Sequence, residues 1–270
     1  MHSRGNKQSQ HVHQVSGRSG IRWWRQGENG SCRKFLADRW CKQASFSRRK
    51  GVPVTRKECI RCGTCCHKGG PGLHVEDKQL IESRVLEPGD LVCFRKGEFA
   101  FDQLGQRVAP LERELIKIRG KGGSWECCLY DPQAKGCRIY QNRPLECRTL
   151  MCWDTGPMEE LMQRDDRLTR AHLVAEDSAM AQLIHLHEEQ CGLDRVAALI
   201  REGDMQSAAT RQELIDLCLY DLSFREVVVE QAGLQENIVE CFLGRPLFRA
   251  VLGYDPWLGS QDFLGHFANR

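Results

Sequence analysis

From about residue 158 the chain places apolar residues at helical spacing, as in "MEELMQRDDRLTRAHLVAEDSAMAQLIHLHEEQ". Apolar positions three and four apart line one face of an α-helix. Gly192 is a natural stop for this run. The same spacing predicts helices near 194–202, 207–219, 222–232, 234–243 and 245–252. Within them Leu214, Leu217 and Cys218 share a face, as do Ile238, Cys241 and Phe242. Upstream the pattern is shorter and interrupted by "GGPG" at 69–72, "EPGD" at 87–90 and "GKGG" at 120–123. Between these breaks a short helix is expected near 76–86, and strands near 113–119, 125–130 and 137–140. "NRPLECRTL" starts another helix, with Pro144 at its first position, where the missing N–H costs nothing.

These elements predict an α+β fold: a small cysteine-rich domain with short strands over 58–156, then a mainly helical region over 157–270. Residues 1–57 lack any convincing period and are rich in Ser, Gly, Gln and Arg, so they read as a disordered tail.

Charge sharpens that division. The tail holds 14 Lys and Arg against Glu28 and Asp38, a net of +12, so with +3 for the whole chain the remaining 213 residues carry −9. A basic arm with the pair Trp23–Trp24 is one way to touch nucleic acid. No nucleic-acid motif accompanies the charge, so the tail reads as a solvated arm and nucleic acid is not the expected partner. A protein partner or substrate of unknown identity is expected instead. The N-terminus has no apolar core of a secretory signal, and no run reaches the ~20 apolar residues of a membrane span. A cytoplasmic protein is the expectation.

Cysteine is the outlier, at 15 copies in 270 residues. An odd count in a chain of this length is a poor disulfide framework, and in a reducing compartment clustered thiols are more often metal or redox ligands. "CIRCGTCC" puts Cys59, Cys62, Cys65 and Cys66 into eight positions, and Cys127, Cys128, Cys137, Cys147 and Cys152 form a second group. A C-x-x-C turn brings two thiolates together for an ion held at about 2.3 Å. Gly63 after Cys62 supplies a positive φ at no Cβ cost. The neighbours Cys65 and Cys66 are poor candidates for equal ligands of one compact tetrahedral ion, because adjacent side chains usually diverge. Either they serve two centres or one is spare. With one of Cys127 and Cys128, the clustered thiols number eight, enough for two four-sulfur sites or for one cluster with thiols left over. Cys147 and Cys152 lie about 140° apart on an ideal helix, so the helix must end between them, near Met151, for both to converge. Cys93, Cys218 and Cys241 sit in apolar runs and read as core; Cys32 and Cys41 receive no role.

"CIRCGTCC" followed by "WECCLYDPQAKGCRIYQNRPLECRTLMCW" resembles the YkgJ-type cysteine-cluster family, a zinc- or iron-chelating domain with a CxxCxxCC signature. The resemblance covers about 58–153. It implies metal ligands at Cys59, Cys62, Cys65, Cys66, Cys127, Cys137, Cys147 and Cys152, since Cys128 stands where the family does not demand cysteine. It also implies a metal-binding protein that holds zinc or iron, including an iron–sulfur cluster, in a structural, redox or metal-handling role. The alternatives are an iron–sulfur oxidoreductase, or a protein lysine N-methyltransferase related to flagellin lysine N-methylase. A nucleic-acid-associated zinc protein is a third. No glycine-rich loop after a strand supports a methyl-donor site.

Other residues carry weaker signals. His67 and His74 flank the first cluster but are redundant beside so many thiols. His185 and His187 point to different sides of a helix. Arg148, with Arg143 and Tyr140, is placed to offset thiolate charge, or else forms a surface ion pair. Asp77, Asp131 and Glu146 read as caps or turn residues.

Overall fold

The computed structural model describes residues 58–268. The basic tail, with Cys32, Cys41 and Trp23–Trp24, lies outside the described residues. Helices α1 (Thr64–Lys68) and α2 (Lys78–Glu82) precede β1 (Leu91–Phe94), β2 (Phe99–Asp102), β3 (Arg107–Pro110) and β4 (Leu115–Ile118). A two-residue hairpin, β5 (Tyr130–Asp131) and β6 (Gly136–Cys137), leads into α3 (Leu145–Thr149). The rest is helical: α4 (Gly156–Met162), α5 (Arg170–Leu173), α6 (Ala179–Cys191), α7 (Leu193–Glu202), α8 (Ala208–Ala232), α9 (Glu236–Leu243), α10 (Leu247–Ala250) and α11 (Gln261–Leu264). The fold is α+β, as the periodicities predict.

The strand layer is built on β1 and β4, which pair antiparallel from Leu91↔Ile118 to Phe94↔Leu115. All four residues of β1, "LVCF", are buried. That run has no alternation, and an apolar run buried on both faces cannot be told from a helix segment by period alone, which is why no strand is predicted there. Leu73 extends the layer by backbone bonds: its N–H donates to Ile116 O (2.8 Å), and Leu168 N–H donates to Leu73 O (2.9 Å). Around these strands Leu73, Leu86, Ile116, Ile118, Leu129, Leu168 and Cys241 of α9 form one hydrophobic core. Cys93 and Cys241 are fully buried there, as their apolar surroundings predict.

Elsewhere the elements depart from the sequence reading. The strands expected at 125–130 and 137–140 shrink to β5 and β6, because residues 124–129 turn back on themselves. The β2–β3 hairpin, paired Phe101↔Val108, is not predicted; its cross-strand pair is exposed, so no buried face marks it. Helix α8 runs 25 residues where two helices are expected. It starts at Ser207, whose side chain accepts from Ala209 N–H, and stops at Gly233 in the left-handed region (φ 62°). No Gly or Pro interrupts it, and Tyr220 and Asp221 continue the helix.

Asp221 is the pivot of the helical core. It is fully buried, accepts from His187 Nε2 (2.6 Å) and Leu247 N–H (2.8 Å), and pairs with Arg225 Nε (3.0 Å). Arg225 in turn donates to the carbonyls of Leu243, Gly244 and Arg245, satisfying the free C-terminal end of α9. Burial pushes the Asp221 carboxyl up, but the His187 hydrogen bond and the Arg225 charge outweigh it and hold the carboxyl well below the usual aspartate range.

Removing one partner of such a pair strands the other charge inside the protein. Asp221→Ala is expected to destabilise the chain by about 3–5 kcal/mol, measured as a fall in urea midpoint. Because the folded carboxyl titrates below its unfolded value of about 3.9, its contribution is fully present above that value and is lost only as pH falls through the acid range. Because Asp221 also holds up the pKa of the buried His187 imidazole, which burial depresses, the wild-type-to-variant difference is expected to hold or grow between pH 7 and about pH 5. A difference that shrinks across that window would contradict the assignment.

Candidate metal centre

The "CIRCGTCC" loop is held in shape by backbone conformation. Gly63 caps α1 in the left-handed region at φ 76°. Its open face accepts Tyr130, whose hydroxyl would lie 2.6 Å from a Cβ at this position. Two constraints thus select glycine: the dihedral and the close approach. Arg61 also has a positive φ, 58°; its N–H points at Cys59 Sγ (3.3 Å), and its guanidinium lies 3.9 Å from the Tyr140 ring centre.

The second cysteine segment meets the first through the backbone. Cys127 N–H donates to Cys66 O at 2.8 Å, and Tyr130 N–H donates back to Cys127 O at 2.9 Å. Tyr140 hydroxyl donates to Cys59 O at 3.5 Å. Helix α3, which carries Cys147, follows Pro144 and ends at Thr149, so the chain turns before Cys152, as convergence of these two thiols requires. Pro144 itself stands one place before the first helical residue. Asp77, fully buried, fixes the start of α3: its carboxylate accepts from Leu145 N–H (2.8 Å) and His74 N–H (3.0 Å).

The thirteen cysteines of the described residues are all free. The structure joins the two cysteine segments, but among the described residues no three of the eight thiols implied by the resemblance have their sulfurs within 4.8 Å of one another. Cys66 is in the field of Cys65, Cys127 and Cys147, and Cys147 in that of Cys127, Cys65 and Cys137. Cys152 is in the field of Cys65, Cys62 and Cys59. Cys128 has a partner of its own: its Sγ points at Asp90 O (3.8 Å). Cys65 and Cys66 are in contact, Sγ to Sγ 4.0 Å. Their mutual hydrogen bond holds the Cys65 thiol down, at about 6, and pushes Cys66 up. Burial, then neighbouring thiolates, push Cys147 and Cys152 up; burial also dominates at Cys127 and Cys137. These sulfurs therefore resist ionising together without compensating charge, and a divalent cation supplies such charge. The donor set is all sulfur, which suits zinc and iron alike.

Of the two readings open for Arg148 the structure takes the surface ion pair, and Glu146 departs from the cap reading. Arg148 turns away and pairs with Glu76 (2.6 Å) at the surface. Arg143, stacked on Tyr140 at 4.0 Å, is the guanidinium that favours ionisation of Cys65 and Cys137. Glu146 is no cap: it is half-buried, takes Gly72 N–H (2.8 Å) and pairs with Arg167. That places the residue beside Cys147 in an ionic network with His74, whose Nδ1 meets Asp166 at 2.7 Å. His67 is engaged by Glu126 at 2.6 Å, so neither flanking histidine faces the thiols freely. Asp131 is a turn residue, accepting from Gln133 and Ala134 N–H.

Sequence reasoning missed a second constellation. Among the described residues, His187, Cys191 and Asp221 form a trio whose ligand atoms all lie within 4.8 Å of one another. His187 and Cys191 are one helical turn apart on α6, a spacing that could have flagged it. Asp221 is already saturated by Arg225, Leu247 and His187, and the positive charges of Arg225 and Arg95 reach His187. The trio is a buried ion-pair core and repels a cation.

Residues 58–166 match the family model described as "CxxCxxCC: Putative zinc- or iron-chelating domain". Over that span the chain is similar to a cysteine-cluster domain described as zinc- or iron-chelating. A stretch of 90 residues is 33% identical to "Uncharacterized protein MJ0661" of Methanocaldococcus jannaschii, covering 33% of this chain and 41% of that protein. No solved structure matches the chain. Among the described residues no helix is long and apolar enough to cross a membrane.

Gly63→Ala tests the loop geometry. It forces a side chain into a positive φ and against Tyr130, with an expected cost of more than about 1 kcal/mol and a lower metal content in purified protein. Unchanged thermal unfolding together with unchanged elemental composition would refute that requirement.

Proposed function

We propose that the domain at 58–166 holds zinc or iron through the thiolates of Cys59, Cys62, Cys65, Cys66, Cys127, Cys137, Cys147 and Cys152, and that the metal organises this half of the protein. The observation that supports the reading is the backbone bond from Cys127 to Cys66, which joins two cysteine-bearing segments 61 positions apart in sequence. Bound metal would supply the positive charge that a sulfur-rich, partly buried site lacks, and Arg143 adds a smaller contribution beside Cys65 and Cys137. Asp77 and Glu146 hold the helix that presents Cys147, so they act on the site through its backbone. Such residues behind the ligands tune affinity by fixing ligand orientation.

The role we infer is structural or metal-handling, in a reducing compartment such as the cytoplasm, where free thiols persist. An iron–sulfur centre and an oxidoreductase or methyltransferase activity are finer readings, for which the resemblance is the support. All-sulfur ligation leaves the identity of the metal to a direct measurement.

Anaerobic purification followed by elemental analysis and a visible spectrum is the test. Stoichiometric zinc in colourless protein, or iron with thiolate-to-metal absorption, is expected. Metal-free protein with the native circular dichroism spectrum would overturn the proposal. Because the metal contributes folding energy directly, a strong chelator is expected to lower the thermal midpoint of the loaded protein by many degrees. An unchanged midpoint after complete metal removal would contradict an organising role.

A further inference from the structure

We propose that the cleft between the end of β1 and the start of α7 binds a small zwitterion of the α-amino-acid class, its carboxylate on Arg95 and its ammonium toward an acidic rim. The cleft has a volume of about 420 Å³, and none of the clustered cysteines lines it. That volume falls in the range of small-molecule sites.

Two buried arginines line the cleft and differ in one respect. Arg170 has every guanidinium nitrogen engaged: Nε and Nη2 meet Glu114 at 2.7 Å, Nη2 also meets Glu188 at 2.8 Å, and Nη1 donates to Phe242 O at 3.0 Å. Arg95, 1% exposed, donates Nη1 to Cys191 O at 3.0 Å, but its Nε and Nη2 meet no acceptor among the described residues. Glu188 Oε2 lies 3.7 Å from Nη1, too far for a hydrogen bond. Nε and Nη2 form the flank of a guanidinium that offers two parallel N–H bonds, the geometry that a carboxylate accepts with both oxygens. Buried donors without an acceptor are costly. The stem of Arg95 is confined as well, because a Cβ at Gly244 (φ 75°) would lie 2.8 Å from its Cγ.

A second, independent feature points to the same chemistry. Helix α7, ten residues long, begins on this wall at Gly192, Leu193 and Asp194, and no side chain caps it. Uncapped first-turn N–H groups and the positive end of a helix favour an anionic group.

Charge selects a zwitterion over a simple anion. Four basic and four acidic side chains line the cleft, a net of zero. Glu114 and Glu188 are held by Arg170, whereas Glu189 and Asp194 are exposed at the rim. A phosphate dianion on Arg95 would be repelled by these carboxylates. A ligand with an ammonium on the carbon next to its carboxylate would satisfy both signs at once.

The test uses the full chain, purified anaerobically with its metal. The standard L-amino acids, without the metal chelators cysteine and histidine, are added singly at millimolar concentration, with acetate and inorganic phosphate as comparison probes. At least one amino acid is expected to raise the thermal midpoint by several degrees, and acetate and phosphate are not. Arg95→Lys keeps the charge and removes the fork, so a folded Arg95→Lys protein is expected to lose that shift. Where Arg95→Lys fails to fold, the surface variant Glu189→Gln/Asp194→Asn decides: its affinity for the same amino acid, measured by titration calorimetry, is expected to fall several-fold. No shift with any amino acid overturns the proposal. So does a shift that acetate or phosphate reproduces, one that survives in folded Arg95→Lys, or unchanged affinity in the rim variant.

Discussion

Negative charge that cannot be solvated is the constraint from which this structure follows. Thiolates brought together beside an apolar core repel one another, and burial raises the cost of ionising each. The chain meets this by drawing cysteines from two segments to the same place and by setting Arg143 beside them, stacked on Tyr140. Everything near the junction serves to hold backbone, not sulfur: Gly63 opens room for Tyr130, Asp77 fixes the start of α3, and Cys66 and Cys127 are tied by their main chains.

The helical region solves a related difficulty by other means. Asp221 and Arg225 are buried charges satisfied within the protein, with His187 Nε2, Leu247 N–H and three carbonyls completing the set. Further ion pairs join the two kinds of structure: Glu98 just after β1 meets Arg245 after α9, and Arg170 of α5 meets both Glu114 and Glu188. Arg95, fully buried, reaches from the end of β1 to the carbonyl of Cys191. Pairs of this kind confer little net stability compared with apolar packing, yet are costly to break from one side. They specify which helix lies on which strand more than they tighten the fold.

How much of this was written in the sequence depends on the range of the interaction. Helices from α6 onward repeat every three to four residues, and that local period survives folding. The cysteine bunching is likewise local, so the first half of the site is readable from eight letters. The choice of Cys127 over Cys128 came from the resemblance, and the geometry puts Cys128 toward Asp90 instead. What was hidden depends on contacts between distant residues. Arg143 and Arg148 look equivalent in sequence, and only the position of Glu76 sends Arg148 outward. The strand "LVCF" needed its partner 115–118 and helix α9 before its conformation was decided. Asp221 sits mid-helix with no local sign of its role.

The backbone bonds that pass from Ile116 to Leu73 and on to Leu168 have a practical meaning. Leu168 lies beyond α4, yet it is fully buried among the strands, as is Cys241 far downstream. A proteolytic nick or an expression boundary placed just after the last clustered cysteine would remove both of these plugs from the apolar layer. The severed fragment would keep all eight sulfurs and lose the floor against which Cys66, Cys127 and Cys137 rest.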